Sequence, residues 1–569
     1  MSPNRFAFTV LGTTDLHGNC LNWDYFKNSE YRDSRLNTVG LAKISTLVAE
    51  VRAEVGADRT LLIDAGDTIQ GTPLSYYYAR IDPVAADGGP VHPMAAAMNA
   101  IGYDAAALGN HEFNYGIPTL RAFERQCDFP LLAANAIDSA TGGLAFPPYA
   151  IRSIGVPGGP GLRVGVLGLT NPGIAVWDRE NVSGRMTFPG IVEQAAEYVP
   201  RLRAAGADIV IAAVHAGIDQ PTSYGDLLPW PEHASGELAA TVPGIDAVLV
   251  GHAHVEVEQR LITNRKTGRT VVLSEPLMWG MRLSRFDFEV ELVDGAWQPV
   301  AVQATVLNTD TAAEDPAVVE LVAEQHAAVL AQVNQVIGTA SESLPLAPAR
   351  FRNTAVLDLI GRVQQDTVRA ALAGTEYADL PVLAQTSPMS RTAVIPAGEV
   401  RTRDVAAVYP FENTLSAVLL TGAQLTDYLE HSARYYRTPA PGEPLDPAAI
   451  TNVGSIRRTD DSNYDVVHGL SYDIDLAGEP GDRIRDLRHN GSPLDPDARF
   501  VLAVNNYRAA GSGGFPHVAA AEPVWSSPDE IRNTLIDWVR ARGVIDPAEF
   551  ASRPGWRLLL DGEPLTVED

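Results

Sequence analysis

Short apolar runs alternate with amphipathic segments through the first half of the chain, and this alternation limits the folds available to it. The apolar runs occupy residues 6–12, 60–66, 105–109, 163–169, 208–214 and 247–251. Helical patterns lie between several of them, for example at 39–54 and 191–206. Strands and helices that alternate in this way pack as layers, with helices covering an extended sheet. We therefore predict a layered α/β fold for this half.

A helical pattern at 315–336 marks a change in composition along the chain. Asp315 is placed to cap this helix, Pro316 suits its first turn, and Gly338 follows it. A chain of 569 residues is also long for a single core. We predict an N-terminal domain over 1–314, a connecting helix over 315–338 and a C-terminal domain over 339–569.

The charge balance restricts the partners of the protein. The chain has 43 Lys and Arg residues against 70 Asp and Glu residues, which gives a formal net charge of −27. So acidic a surface repels nucleic-acid backbones and anionic membranes. We expect no nucleic-acid polymer and no membrane as partner, and a monomer or weak oligomer. An anionic substrate would need local positive charge, which bound metal ions would supply.

Cysteine content and the N-terminus bear on the cellular compartment. Cys20 and Cys127 are too few for a disulfide framework, so we expect free thiols. The first apolar run is faintly similar to a signal peptide, but it leads directly into Asp15 and His17 and is better interpreted as a core strand. We expect the chain as written to be cytoplasmic, and periplasmic or secreted if a leader has been removed.

Side chains able to bind metal follow five of the predicted strands. They are Asp15 and His17, then Asp67, then Asn110 with His111, then His215, and last His252 with His254. In open α/β sheets, ligands bind at the carboxyl ends of the strands. Imidazole, carboxylate and amide groups together suit ions such as Mn, Fe, Zn or Co. Each fragment alone is weak evidence, since a single histidine is more often a core residue. Their joint occurrence after successive strands indicates one metal site.

The number of candidate ligands indicates two ions that share a carboxylate. Asp67 is the predicted bridge, because Gly66 precedes it and permits a close approach of the backbone. His252 and His254 lie two residues apart at a strand end, so each could reach a different ion.

The sequence blocks around these residues resemble a known family. DLHGN, DAGDTIQG, GNHEFNYG, VHAG and GHAH are similar to the five signature blocks of the calcineurin-like metallophosphoesterases. The second half is similar to the companion domain of bacterial 5′-nucleotidases and 2′,3′-cyclic-nucleotide 2′-phosphodiesterase/3′-nucleotidases. The resemblance covers essentially the whole chain. It implies a four-layer αββα sandwich, a connecting helix and a C-terminal α/β nucleotide-binding domain.

The resemblance also implies roles for individual residues. The first metal would be held by Asp15, His17, Asp67 and His254, and the second by Asp67, Asn110, His215 and His252. The two divalent ions would be Mn, Zn, Co, Fe or Mg. His111 would stabilise the transition state or protonate the leaving oxygen, with Asn110 beside it at the reaction centre.

Within the family, several segments resemble the cyclic phosphodiesterase branch. These are the aromatic stretch 22–27, the segment 278–280, and Asn114, which stands where 5′-nucleotidases carry an Asp that pairs with the catalytic histidine. The implied reaction converts 2′,3′-cyclic nucleotides to 3′-nucleotides and then to nucleosides and phosphate. Two alternatives stay open, a 5′-nucleotidase or nucleotide-sugar hydrolase and a non-catalytic nucleotide-binding protein. Because Asn114 replaces that Asp, the resemblance does not imply that a carboxylate holds His111 in its charged form.

Substrate selection is expected from the second half. The segments 409–414 and 505–508 resemble loops whose aromatic rings sandwich a nucleobase, which would assign that role to Phe411 and Tyr507. Such stacking contributes roughly 1–3 kcal/mol per base. Arg391 and Arg401 are candidates for phosphate or ribose contacts, and Asn413 is a further candidate substrate contact. On residue type alone, without the resemblance, the interpretation of both aromatics as ordinary core residues is favoured.

Overall fold

The computed structural model describes residues 4–440, 450–452, 461–550, 555–565 and 567. The chain forms two compact units, Met1–Leu330 and Ala331–Asp569. Each unit contains its own β-sheets.

Sixteen strands lie in the described part of the first unit. They are β1 (Arg5–Thr13), β2 (Trp23–Asp24), β3 (Ser29–Glu30), β4 (Thr60–Asp64), β5 (Ala105–Ala107), β6 (Leu131–Leu132), β7 (Ile137–Asp138), β8 (Tyr149–Ile154), β9 (Leu162–Leu169), β10 (Met186–Thr187), β11 (Ile209–Val214), β12 (Ala247–Val250), β13 (Glu256–Thr263), β14 (Thr270–Pro276), β15 (Arg282–Val293) and β16 (Ala296–Asn308).

The helices of the same unit are α1 (Leu41–Val55), α2 (Pro73–Tyr76), α3 (Pro93–Ile101), α4 (Ile117–Gln126), α5 (Ile174–Trp177), α6 (Arg179–Val182), α7 (Ile191–Ala204), α8 (Ser235–Thr241), α9 (Pro316–Leu321) and α10 (Ala323–Val333). The last of these extends across the boundary between the units.

Two six-stranded sheets form the centre of the first unit. Their strand orders are β16-β15-β1-β4-β5-β6 and β13-β14-β12-β11-β9-β8. The inner strands of both sheets are parallel, whereas β15, β16, β8 and β13 pair antiparallel at the margins. The inner strands read as continuous apolar runs because both of their faces are covered, and all six residues of β11 are buried.

The sheets pack against each other, and helices cover their outer faces. One apolar core joins side chains of both sheets, including Val10 and Ile63 from the first and Val166 and Ile211 from the second. A second core packs α7 and α8 on the outer face of the second sheet. Helix α1 contacts β1, β4 and β15 of the first sheet. The predicted four-layer αββα sandwich is therefore confirmed.

The predicted single helix over 315–336 is wrong. Asp315 does cap a helix, through a side-chain bond from the Ala317 amide, but that helix ends at Leu321. Val322 leaves the helical conformation (φ −107°, ψ 10°), and a second helix runs only to Val333. The apolar spacing persists across the break, so the sequence pattern does not reveal it. From Val336 the chain is a strand, in keeping with its β-branched residues.

The strands of the second unit are β17 (Val336–Ala340), β18 (Leu344–Pro345), β19 (Val382–Thr386), β20 (Val394–Ile395), β21 (Gly398–Arg401), β22 (Thr414–Thr421), β23 (Val466–His468), β24 (Leu470–Asp475), β25 (Ile484–His489), β26 (Ser492–Pro493), β27 (Arg499–Asn505), β28 (Glu522–Glu530), β29 (Val544–Ile545), β30 (Trp556–Leu560) and β31 (Glu563–Pro564). Its helices are α11 (Ala355–Leu372), α12 (Thr402–Val408), α13 (Gly422–Ser432), α14 (Asn506–Ala509) and α15 (Ile531–Arg542).

The main sheet of the second unit has the order β23-β19-β27-β22-β28. Strand β19 is parallel to β27, and β22 is antiparallel to it. The loops that follow β19 and β27 and the loop that precedes β22 therefore meet at one edge of this sheet.

Both cysteines are free thiols, as expected. Within the described ranges, no helix is long and apolar enough to cross a membrane.

Candidate metal centre

The first unit brings six of the seven predicted metal ligands together in two groups. The groups are Asp15, His17 and His254, and Asp67, His215 and His252, and within each group the potential ligand atoms lie within 4.8 Å of one another. All six side chains come from loops at the carboxyl ends of parallel strands. Two adjoining groups of carboxylate and imidazole ligands have the chemistry of a site for two cations.

Asp67 lies where the two groups adjoin. Its Oδ2 atom is 2.9 Å from Nε2 of His215 and 3.8 Å from Nε2 of His17, so it faces one imidazole of each group. Its other oxygen accepts the backbone amide of His111 at 2.7 Å. This central position is the one required of a bridging carboxylate.

Main-chain carbonyls orient two of the imidazoles. Nδ1 of His17 lies 2.8 Å from the carbonyl of Gln70, and Nδ1 of His215 lies 2.8 Å from the carbonyl of Ala65. A carbonyl can only accept, so Nδ1 carries a proton in both rings, and Nε2 is the nitrogen that offers a lone pair when the ring is neutral. Nε2 of each ring points toward the carboxylates, as in metal sites whose histidines are fixed from behind.

Two further observations fit the presence of cations. Nε2 of His17 is 3.1 Å from Nε2 of His254, close enough for both nitrogens to bind the same ion. Oδ1 of Asn110, the seventh predicted ligand, is buried and has no hydrogen-bond partner among the residues that the structure describes. A buried acceptor without a donor is costly, and a metal ion would satisfy it.

The backbone at the ligands is strained. Asp15, His17, Asp67, His252 and His254 all have positive φ, between 48° and 76°. Residues with side chains rarely adopt this conformation, and such strain concentrates at functional sites. The loops that carry Asp67 and Gly109 also pack closely together. A Cβ placed on Gly109 would lie only 2.1 Å from Oδ1 of Asp67. Only glycine fits at that position.

The electrostatics of the centre favour positive charge. Burial alone would raise the pKa of Asp15, but His254 and His215 lower it below its usual range. Burial would likewise lower the pKa of His215, yet Asp67 raises it to about 10. The buried carboxylates thus stabilise positive charge on His215, as they would stabilise a bound cation. Burial lowers the pKa of His17 to about 4, which keeps that ring neutral as a metal ligand must be.

Glu112 supports the loops that carry Asp67 and Asn110. Its two carboxylate oxygens accept the backbone amides of Asp67 (2.8 Å), Thr68 (2.5 Å) and Gly109 (2.6 Å). Glu112 was not among the residues predicted from the sequence. Its position directly after Asn110 and His111 is the sequence feature that could have indicated its role.

Glu232 was also missed, since it lies in a loop with no regular pattern. Its Oε1 atom lies 2.8 Å from Nε2 of His252 and 3.3 Å from Nε2 of His233. The Gly217 amide donates to Nδ1 of His233, so Nε2 of that ring carries a proton. Glu232 thus accepts from imidazoles behind the centre, and with Nε2 of His252 occupied in this way, Nδ1 is left as the ligand atom.

A third missed segment follows β9, which ends at the same edge as the strands that carry the ligands. The side-chain amide of Asn171 donates to the carbonyls of His215 (3.3 Å) and Glu232 (3.2 Å). The indole of Trp177 stacks on His252 with ring centroids 5.5 Å apart. The strand was predicted, but no aspartate or histidine stands directly after it.

His111 lies beside the two groups with its ring between Asp67 and Asn114. Its Nε2 atom is 3.9 Å from Oδ2 of Asp67, and its Nδ1 atom is 2.5 Å from Oδ1 of Asn114. The amide nitrogen of Asn114 in turn donates to Oδ1 of Asp178 at 2.7 Å. Burial raises the pKa of Asp178 to about 7, against the lowering effect of that hydrogen bond.

In the second unit, three predicted substrate contacts lie at one edge of the main sheet. Phe411 and Asn413 precede β22, Tyr507 follows β27, and the Thr414 amide donates to the side chain of Asn506 at 3.1 Å, which joins the two loops. Phe411 and Tyr507 are 45% and 36% exposed. Neither ring is therefore a core residue, and both have surface available for stacking.

The two predicted arginines differ in position. Arg391 lies in the loop after β19, at that same edge, and forms two hydrogen bonds with Asp461. Arg401 ends β21 and pairs with Glu399, at the opposite end of α12 from the loop that holds Phe411. The structure brings Arg391 to the loop cluster and does not bring Arg401 there.

A four-layer sandwich with this set of carboxylate, imidazole and amide ligands defines a metal-dependent phosphoesterase. The model of the calcineurin-like phosphoesterase family matches residues 8–256. The model described as the 5′-nucleotidase C-terminal domain matches residues 336–520. The chain belongs to the calcineurin-like phosphoesterases that carry a 5′-nucleotidase C-terminal domain, a class of hydrolases that depends on divalent metal ions.

Similar proteins are named for the hydrolysis of nucleotide phosphoesters. The 2′,3′-cyclic-nucleotide 2′-phosphodiesterase/3′-nucleotidase of Yersinia enterocolitica is 31% identical, over 98% of this chain and 89% of that protein. The trifunctional nucleotide phosphoesterase protein YfkN of Bacillus subtilis is also 31% identical, over 95% of this chain, but the match spans only 38% of that longer protein. The solved 5′-nucleotidase precursor of Thermus thermophilus has a TM-score of 0.63 and 26% identity, over 98% of this chain and 100% of that one.

Proposed function

We propose that this protein hydrolyses 2′,3′-cyclic nucleotides to 3′-nucleotides, and 3′-nucleotides to nucleosides and phosphate, at a centre that holds two divalent ions. The observation that carries the proposal is the position of Asp67, whose Oδ2 atom faces His215 of one ligand group and His17 of the other. A single carboxylate at the meeting point of two ligand groups is suited to two cations rather than one.

The ligands divide naturally between the two ions. One ion would be held by Asp15, His17, Asp67 and His254, and the other by Asp67, Asn110, His215 and His252. When bound, the ions would lower the pKa of a water to about 7 and neutralise charge on the phosphoryl oxygens. The identity of the metal, among Mn, Zn, Co, Fe and Mg, is left to experiment.

The chain itself supplies orientation and a mobile proton. The carbonyls of Gln70 and Ala65 hold His17 and His215 with their Nε2 atoms toward the centre. His111 presents Nε2 at the edge of the centre and is 34% exposed at its side chain, so a substrate can reach it. It is placed either to donate a hydrogen bond to a phosphoryl oxygen or to protonate the leaving ribose oxygen.

The second unit is proposed to select nucleotides. Phe411 and Tyr507 expose their rings on adjoining loops, and Asn413 lies on the first of these loops. Stacking on such rings is worth roughly 1–3 kcal/mol per base and tolerates every base. Arg391 is proposed as a phosphate or ribose contact because it shares this edge. Arg401 lacks that support, so we assign it no contact.

The preference for a 2′,3′-cyclic substrate is supported by the named relatives and by Asn114. By the resemblance described in the sequence analysis, Asn114 stands where 5′-nucleotidases carry an acidic residue. The match to the 5′-nucleotidase C-terminal domain keeps a 5′-nucleotidase as the second candidate. Turnover of 2′,3′-cyclic AMP, 3′-AMP and 5′-AMP, each with a defined metal, separates the two. We expect the first two to be hydrolysed with higher kcat/KM than 5′-AMP, and the reverse order would overturn the proposal in favour of a 5′-nucleotidase.

A non-catalytic nucleotide-binding protein is the alternative of another class. The six candidate ligands that lie together, with His111 beside them, argue against this alternative. Binding of nucleotides without turnover of any of the three substrates, at full metal loading, would favour it.

A further inference from the structure

A row of polar side chains extends from His111 into the interior of the first unit. Nδ1 of His111 is 2.5 Å from Oδ1 of Asn114, and Nδ2 of Asn114 is 2.7 Å from Oδ1 of Asp178. Asp178 lies 64 residues beyond Asn114, between α5 and α6, and is 4% exposed. Among the described residues, no hydrogen bond or ion pair joins Asp178 to either ligand group, so its position is not that of a metal ligand.

The direction of these hydrogen bonds follows from the chemistry of their ends. An ionised carboxylate can only accept, so the amide nitrogen of Asn114 has to face Asp178. The amide oxygen then faces His111 and requires a proton on Nδ1 of the imidazole. The remaining nitrogen, Nε2, is the one that lies toward Asp67 and the reaction centre.

Other contacts hold the middle of this row in place. The side-chain amide of Asn181 donates to the backbone carbonyl of Asn114 at 3.1 Å. The backbone amide of Asn181 donates to the carbonyl of Asp178 at 2.8 Å. The first bond joins the α5–α6 segment to the Asn114 loop, and the second lies within the segment and holds Asn181 close to Asp178. Together with the bond between the Asn114 and Asp178 side chains, the segment contacts the loop at two points.

We propose that Asp178 is a positioning residue for His111, acting through the Asn114 amide to fix the ring with Nδ1 protonated and Nε2 directed at the substrate. The inference rests on the proposed function of the same site. In this chain the carboxylate does not contact the histidine directly, because the side chain of Asn114 lies between them. The uncharged asparagine passes the orienting effect of the carboxylate on to the ring.

A double-mutant cycle tests this assignment at pH 8, where Asp178 is ionised. Asp178→Ala should lower kcat about 10- to 100-fold, the usual cost of losing an orienting partner behind a functional histidine. In a His111→Asn background the same change should alter kcat less than about twofold, because a residue that acts only through His111 has nothing left to orient. An equal loss in both backgrounds would overturn the proposal, and so would no loss beside an intact His111.

Asp178→Asn covers the case in which the alanine variant fails to fold. An asparagine can present either its oxygen or its nitrogen, so it no longer forces one orientation on Asn114. We expect about a 10-fold loss of kcat that again disappears in the His111→Asn background. Wild-type kcat for this variant would overturn the proposal.

Two controls separate positioning from disruption. Glu180→Gln removes a carboxylate from the exposed face of the same segment and should keep wild-type kcat. Metal content of the Asp178 variants should equal that of the unaltered protein, because a disturbed segment would also displace Trp177 from His252. Metal loss in Asp178→Asn would mean a structural role and overturn the proposal.

The choice of substrate keeps this test apart from that of the proposed function. The cycle is measured with whichever of 2′,3′-cyclic AMP, 3′-AMP and 5′-AMP the unaltered protein hydrolyses, or with phenyl phosphate if it hydrolyses none of them. In the latter case the nucleotide assignment fails, while the outcome for Asp178 is still read from the same cycle.

Discussion

At the scale of single residues, the site depends on side chains that are held in one orientation. Carbonyls fix His17 and His215 from behind, Glu232 accepts from His252, and Asp67 faces both ligand groups. Sequence position was enough to predict that these candidate ligands come together, because each follows a strand of strong apolar character. It did not reveal Glu232 or Asp178, which lie in loops and meet their partners only through the fold.

The bridging role of Asp67 is tested by Asp67→Asn. An amide carries no charge and offers one acceptor oxygen, so it cannot serve two cations. We expect the variant to fold, to bind fewer than two equivalents of metal, and to lose at least about 10³-fold in kcat, since metal-assisted catalysis is worth several kcal/mol. Activity within tenfold of the unaltered protein would contradict the bridge.

Asp64→Asn is the matched control for that variant. Asp64 is fully buried in the same stretch of chain, and burial raises its pKa to about 8, so at neutral pH it is already uncharged. Its partners, the Gly66 amide and the Thr13 hydroxyl, suit an asparagine because the hydroxyl can either donate or accept. This control should retain both metal ions and most of its activity.

Stacking by Phe411 is tested by Phe411→Ala. Loss of one face of the base sandwich should raise KM for nucleotides about 5- to 150-fold, the equivalent of roughly 1–3 kcal/mol, and leave KM for p-nitrophenyl phosphate unchanged. Leu227→Ala, at another exposed apolar side chain, is the control and should change neither value. An equal effect of Phe411→Ala on both substrates would mean that the ring does not contact the base.

At the scale of elements, the parallel strands place the ligand loops at common sheet edges. The alternation of apolar runs and helices predicted this architecture correctly, because strands covered on both faces read as unbroken apolar runs. The connecting helix was predicted less well. Val322 interrupts it without changing the apolar spacing, and no glycine or proline marks the break.

Glu112 holds the ligand loops together, because its carboxylate accepts backbone amides from both the Asp67 segment and the Asn110 segment. Glu112→Gln replaces one accepting oxygen with a donating group that opposes those amides. We expect metal affinity to fall about 10- to 100-fold, with kcat largely restored at saturating metal. Glu124→Gln, on the nearby helix α4, should leave affinity within twofold, and equal affinities for both variants would show that Glu112 does not support the site.

At the scale of the whole molecule, an acidic protein has to bind an anionic substrate. A net charge of −27 opposes the approach of a phosphate ester, and the two ligand groups add buried carboxylates to that charge. Two divalent ions at this point would reverse the local sign and provide the attraction that the surface lacks. On this proposal, both substrate capture and hydrolysis depend on metal binding.

Titration of the metal-free protein with Mn²⁺ measures this dependence directly, with bound metal and hydrolysis of 2′,3′-cyclic AMP followed in the same samples. Two tight equivalents should bind, and activity should rise mainly as the second site fills, because Asp67 serves both ions. Saturation of binding and activity at one equivalent, or full activity in excess chelator, would contradict the account.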